Sequence, residues 1–124
     1  MRVIAGKYRG MVLQAPVGLH TRPTLDRIKE AMFNILQFHV VNAYVLDLFA
    51  GSGALGIEAL SRGAQFVVFN DYHPQAREVI RKNLAQLKDN PSYQLFAYEA
   101  HVLIENVTTT YDLVLLDPPY DIHE

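Results

Sequence analysis

No cysteine occurs anywhere in this 124-residue chain. That absence excludes a disulfide framework, a thiolate nucleophile and a thiolate metal site, and it fits a reducing compartment, so the expected location is cytoplasmic. No apolar stretch approaches the length of a membrane span. The N-terminal MRVIAGKYRG lacks the apolar core and small-residue cleavage site of a secretory signal. His20, His39, His73, His101 and His123 are scattered without ligand-like spacing, so they read as surface or loop residues and no metal is expected. Repeats, low-complexity tracts, an inter-domain linker and a nucleophilic triad are absent as well.

What is present is a chain half of whose residues are apolar, long enough for one domain with a hydrophobic core. Its net charge of −2 conceals an asymmetry. Arg2, Lys7, Arg9, Arg22, Arg27 and Lys29 fall in the first thirty residues against only Asp26 and Glu30, which leaves +4 there and −6 in the remainder. Such a split suits a basic arm facing a polyanion and a body handling something cationic or neutral, although a solvated charged face is the plain alternative.

Residues 1–20 mix basic and apolar side chains with Gly6 and Gly10, as short strands or a hairpin would, and form the expected arm. Within residues 21–42, Leu25, Ile28, Met32, Phe33, Ile35 and Leu36 recur at helical spacing, predicting a helix over Pro23 to Gln37 with Thr24 and Asp26 at its start. Residues 43–124 alternate short apolar runs with helical segments, the pattern of βαβ units and a mainly parallel sheet. Strands are predicted at Tyr44 to Phe49, Gln65 to Phe69, Tyr93 to Tyr98 and Asp112 to Leu116. Helices are predicted near Ala54 to Arg62, Pro74 to Asp89 and Ala100 to Asn106. Each strand is apolar enough to be covered on both faces. The three segments are read as one domain, an α/β Rossmann-like fold with a small N-terminal arm.

The strongest local feature is Asp47-Leu48-Phe49-Ala50-Gly51-Ser52-Gly53-Ala54-Leu55-Gly56, a strand entering a Gly-x-Gly-x-x-Gly turn that opens a helix. Gly51 and Gly53 permit sharp dihedrals and let a ligand lie against the main chain, and Gly56 lets the helix pack closely. Asp71 follows about twenty residues on, at the end of the second strand, where a carboxylate can take both ribose hydroxyls of an adenosine. Asp47 at the mouth would repel a dinucleotide pyrophosphate and favour a methionine ammonium and a nearby sulfonium, which points to S-adenosylmethionine rather than NAD. Glu99-Ala100, ending the third strand, could accept a hydrogen bond from an adenine amino group. An ordinary tight turn and a solvated Glu99 are the plain alternatives.

The fourth strand ends in Asp117-Pro118-Pro119-Tyr120, a carboxylate, two rigid prolines and an aromatic ring at the ligand-binding edge of the sheet. A guanine amino nitrogen is a poor nucleophile because its lone pair is delocalised, so it needs orientation more than deprotonation. Asp117 and the Pro118 carbonyl can each accept one N–H, and Tyr120 can stack on a base swung out of its helix. A strand stopped by a Pro-Pro turn is the alternative.

With these motifs, Arg2-Val3-Ile4-Ala5-Gly6, Arg9-Gly10, and Arg22-Pro23-Thr24 with Asp26-Arg27, Lys29-Glu30 and Phe33-Asn34, the chain resembles the RsmD-type small-subunit (16S) ribosomal RNA guanine-N2 methyltransferases from end to end. The resemblance implies a Rossmann-like fold, S-adenosylmethionine as methyl donor, and a guanine of small-subunit RNA presented within an assembling ribosomal particle. It implies that Asp47 and the turn Gly51-Ser52-Gly53 hold the methionine part, Asp71 the ribose, and Glu99 and Ala100 the adenine region, with Phe49, Ala50 and Tyr72 also among the cofactor-binding residues. Asp117, Pro118, Pro119 and Tyr120 would hold the guanine, Arg2, Lys7 and Arg9 would contact RNA phosphates, and Arg22 or Thr24 would lie near the mouth of the site.

Two departures stand out. Ala5 replaces a common glycine, and the family continues beyond its Asp-Pro-Pro-Tyr motif for roughly another third of its length through later strands, so a chain truncated at its C-terminus is expected. The fourth strand would then be an apolar open edge. An amino methyltransferase acting on DNA or protein, or a non-catalytic cofactor- or RNA-binding fragment, remain the competing readings.

Overall fold

The computed structural model describes residues 1–15 and 26–118. Along the chain these form α1 (Asp26–Val40), β1 (Tyr44–Asp47), α2 (Ala54–Ser61), β2 (Phe66–Asn70), α3 (Pro74–Leu84), β3 (Tyr93–Phe96), α4 (Ala100–Glu105) and β4 (Leu113–Leu115). The four strands make one parallel sheet in the order β3-β2-β1-β4, with Asp47 level with Phe69 on one side and with Leu115 on the other. The fold is therefore the expected Rossmann-like α/β arrangement. Its strand order reverses between β1 and β4, so the crevice at their carboxyl ends is the topological switch point where open α/β sheets bind ligands.

Alternation along the strands divides the core in two. Val45, Val67, Phe69 and Leu115 point into the larger part, which also takes Phe33 and Val40 of α1, most of α2, Ile80 and Leu84 of α3, and Val3 and Leu13 of the arm. Leu46, Leu48 and Val68 point the other way, onto Leu103 of α4. Gly56 makes the first layer close: a Cβ there would sit 2.2 Å from the Phe69 ring. The expectation that helices cover every strand on both faces needs correction. Tyr44 and Val114 are partly exposed on the α4 side, where among the described residues one short helix covers the sheet, and the edge strand β3 exposes Tyr93 and Gln94. At the opposite edge, Val114 and Leu116 are 46% and 58% exposed, as an open apolar edge was expected to be.

Element ends shift for identifiable reasons. The first helix was expected to stop at Gln37 but runs to Val40, which is fully buried and accepts the Ala43 N–H. The third was expected to reach Asp89 but ends at Leu84, and a turn closed by Leu87 N–H on the Leu84 carbonyl carries Leu87 into the core. The proposed start of α1 at Pro23 and Thr24 lies outside the described residues.

The N-terminal segment is a tight hairpin with a single antiparallel bridge, Arg2 to Val12, and it is docked rather than free. Gly6, at φ +92°, lets the chain pass so close to the end of α2 that a Cβ would fall 2.0 Å from the Ser61 carbonyl oxygen. Ser61 takes the Lys7 and Tyr8 N–H groups and donates its hydroxyl to the Ala5 carbonyl. Glu58, fully buried, accepts the Ile4 and Ala5 N–H groups and pairs with Lys29 at 3.3 Å and Arg62 at 2.7 Å. This corrects the charge reading. Lys29 adds nothing to a basic face, because its ammonium is buried between Glu58 and the Arg2 carbonyl, which it meets at 2.6 Å.

Candidate functional site

The carboxyl ends of β1, β2 and β3 enclose a cleft lined by Leu48, Phe49, Asn70, Asp71, Tyr72, His73, Tyr98 and Ala100. Four of these, Phe49, Asp71, Tyr72 and Ala100, are residues the sequence singled out. Tyr98 ends the predicted third strand, two residues beyond β3, and Asn70 closes the otherwise apolar run Phe66-Val67-Val68-Phe69; sequence reasoning assigns neither a role, although an amide in that place is itself a signal. Asn70 donates to the Leu48 and Tyr98 carbonyls and accepts the Tyr98 N–H, which stitches three strand ends together behind the cleft. Glu99, between the lining residues Tyr98 and Ala100, precedes α4 with its exposed carboxylate 3.5 Å from His101.

Above β1 the chain turns through Gly51 and Gly53 at φ +58° and +84°, conformations that L side chains adopt rarely, before α2 begins. A Cβ at Gly51 would project into open space, so this backbone is accessible. Asp71 holds the turn in place. One of its oxygens accepts the Gly51 N–H and the other the His73 N–H, both at 2.9 Å, and the His73 ring lies 3.2 Å from the latter. Arg77 of α3 fastens the same loop through the carbonyls of Asp71 and Tyr72. Ala50 donates to the Asn70 carbonyl, and the Ser52 hydroxyl accepts the Ala54 N–H.

Asp47 was expected at the mouth. It lies instead fully buried beneath the turn, with one oxygen accepting the Gly56 N–H at 3.0 Å and the other, Oδ1, without a hydrogen-bond partner. Burial pushes its carboxyl up to about 7, against the lowering effect of the Gly56 N–H, and the nearby charges of Asp117 and Asp71 push the same way. The Asp71 and Asp117 carboxylates thus stand near enough to Asp47 to act on its proton. Asp117 stands two residues beyond β4, half-buried, with Pro118 exposed next to it. Pro119 and Tyr120 lie outside the described residues.

On the arm, Arg2, Lys7 and Arg9 are all exposed. Lys7 is engaged by Asp89 at 2.9 Å, and the Arg2 guanidinium meets the Gly10 carbonyl at 3.4 Å. Arg22 and Thr24 lie outside the described residues. Among the described residues no cluster of three or more candidate metal ligands occurs, and no helix is long and apolar enough to cross a membrane.

The family model described as Conserved hypothetical protein 95 matches residues 1–124. The Bacillus subtilis protein YlbH is 40% identical over 97% of this chain and 67% of its own length. Ribosomal RNA small subunit methyltransferase D of Escherichia coli strain K12 is 38% identical over 97% of this chain and 60% of its own. Among solved structures, the Escherichia coli protein yhhF superposes with a TM-score of 0.85 at 39% identity, covering 99% of this chain and 66% of that one. The chain therefore spans 60% to 67% of the length of these relatives.

Proposed function

Since this chain belongs to the Conserved hypothetical protein 95 family, we propose that it is the cofactor-binding portion of an S-adenosylmethionine-dependent methyltransferase acting on the exocyclic N2 amine of a guanine in small-subunit ribosomal RNA. One observation carries the reading: the Gly-rich turn, Asp71, Tyr98 to Ala100 and Asp117 all stand at the carboxyl edge of one parallel sheet. The Escherichia coli relative's name supplies the ribosomal RNA, and the exposed basic side chains of the arm suit RNA phosphates. The guanine amine is inferred from Asp117-Pro118-Pro119-Tyr120. Presentation within an assembling ribosomal particle, a cytoplasmic location and a single domain over residues 1–124 belong to the same proposal.

The residues fit this cofactor. The turn exposes backbone where Gly51 lacks a Cβ, and Asp47 Oδ1 beneath it has no hydrogen-bond partner, so a cationic ligand above would favour the ionised form that burial disfavours. When bound, S-adenosylmethionine supplies an electrophilic methyl group on a sulfonium cation. Asp47, once ionised, favours that cation and the methionine ammonium through the turn, and it is the anion of this site that is most shielded from water. Asp71 would meet the ribose with the lone pairs its backbone contacts leave, beside Tyr72, and Ala100 and Tyr98 would border the adenine. Phe49, Ala50, Ser52 and Gly53 shape the methionine side. Asp117 and the Pro118 carbonyl would accept the two amino hydrogens of the guanine, orienting the nitrogen lone pair, with Pro119 and Tyr120 completing the base site. Arg2, Lys7, Arg9, Arg22 and Thr24 would position the RNA.

Transfer of labelled methyl groups from S-adenosylmethionine to small-subunit RNA, DNA and a protein glutamine substrate tests the proposal. N2-methylguanosine from RNA alone is expected, with Asp117→Ala reducing the rate at least about a hundredfold. Methylation of DNA or protein in preference to RNA would overturn the substrate. Cofactor binding without turnover on any of them would make the chain a binding module.

A further inference from the structure

Asn83 lies in the last turn of α3, away from the cleft, and it is fully buried. Its side-chain Nδ2 donates to the Ser52 carbonyl at 2.8 Å and to the Gln14 carbonyl at 3.0 Å, while its Oδ1 accepts the Gln14 N–H at 2.9 Å. The amide therefore serves both backbone groups of Gln14, as a neighbouring strand would, and uses its other hydrogen to grip the centre of the Gly-rich turn. Ser52 sits between Gly51 and Gly53, the two residues whose positive φ shapes that turn. Gln14 is at the other extreme: it ends the docked hairpin and leads toward the segment carrying Arg22 and Thr24.

We propose that Asn83 is a positioning residue that couples the basic arm to the cofactor turn, so that RNA on the arm and cofactor on the turn strengthen each other's binding. This rests on the functional reading above. The geometry supports a coupling rather than two separate anchors. The arm's remaining hydrogen bonds to the body include those to Glu58 and Ser61 of α2, Lys29 and Asp26 of α1 and Gln86 after α3, and among the described residues the Ser52 hydroxyl of the turn also approaches the Met1 sulfur at 3.8 Å. A shift of Gln14 strips an acceptor and a donor from a buried amide, which must rotate to recover them and in doing so releases Ser52. A ligand that fixes the arm therefore fixes the turn, and by linkage the effect is equal in the other direction.

Calorimetric titration with S-adenosylhomocysteine, in the absence and presence of a saturating stem-loop transcribed from small-subunit ribosomal RNA, tests this on the unsubstituted chain, Asn83→Leu and Gln14→Pro. The RNA is expected to lower the dissociation constant of the unsubstituted chain about tenfold, within the usual range of allosteric coupling. In both variants that ratio should fall to near one while each ligand still binds alone. Gln14→Pro removes the N–H that Asn83 accepts, together with an exposed side chain, and leaves the Asn83 amide itself in place, so it reports even where Asn83→Leu fails to fold. A purely structural role would lower the unfolding midpoint and leave the ratio intact. An unchanged ratio in Gln14→Pro, or a ratio of one in the unsubstituted chain, overturns the coupling and leaves the cofactor reading standing. Failure of the folded, unsubstituted chain to bind S-adenosylhomocysteine overturns that reading and the coupling together.

Discussion

Replacing Asp47 by asparagine should invert the pH dependence of relative stability. Asp47 is fully buried, has one oxygen without a partner, and its carboxyl is pushed up from the ordinary 3.8 to about 7. Between those values the folded protein keeps a proton that the unfolded chain has lost. Stability therefore falls as pH rises through that interval and is level above it. The difference corresponds to about 4 kcal/mol of stability lost between about pH 4 and pH 8. The Asp47→Asn variant would carry no such dependence. Its new side chain retains an acceptor for the Gly56 N–H but buries an amide group where Oδ1 has no partner, a cost of about 1–3 kcal/mol at every pH. The variant should thus be less stable than the parent near pH 4 and more stable near pH 8, with the two curves crossing in between. Urea unfolding at several pH values, with unchanged m-values, provides the assay. Parallel stability curves for parent and variant would refute the argument, because they would mean that Asp47 is ionised in the folded state over the whole range.

Three further outcomes follow from the same geometry. Glu58→Gln leaves the buried Lys29 ammonium with only the more distant Asp26 carboxylate, at 4.0 Å, as an ionic partner among the described residues and should cost about 3 kcal/mol in chemical denaturation, unless Lys29→Met is introduced with it. Gly56→Ala puts a Cβ 2.2 Å from the Phe69 ring; a loss of at least about 1–3 kcal/mol is expected, and the smaller ring-free Phe69→Leu should recover part of it in the double variant. Asp71→Ala removes the acceptor of the Gly51 and His73 N–H groups, and calorimetry should show S-adenosylhomocysteine affinity reduced at least about tenfold, since the turn depends on it and the proposed function gives it the ribose.

Much of the candidate site was legible because its signals are local. A strand, a Gly-x-Gly-x-x-Gly turn, a helix and an acid at the next strand end are each written in a few adjacent residues, and the parallel sheet then brings them to one edge. Lys29 shows the opposite case. It was counted among the basic residues of the arm region, and nothing near it in the sequence announces that Glu58, on another helix, buries it. Asn70 and Asn83 were unassigned for the same reason, since the carbonyls they hold belong to Leu48, Tyr98, Ser52 and Gln14, distant in the chain. The ends of α1 and α3 moved because burial of Val40 and Leu87 outweighed helical periodicity.

Local pattern alone determined that this chain builds a parallel α/β sheet with a glycine turn at its first strand and carboxylates at later strand ends. Backbone sterics and side-chain period act over only a few residues, and these features need nothing more. Tertiary structure decided which charges face water, that Asp47 lies under the turn rather than at its mouth, and that the arm is locked onto α2 and α3. Those outcomes depend on desolvation and on hydrogen-bond partners supplied from far along the chain, which exist only once the sheet and its helices have closed around them.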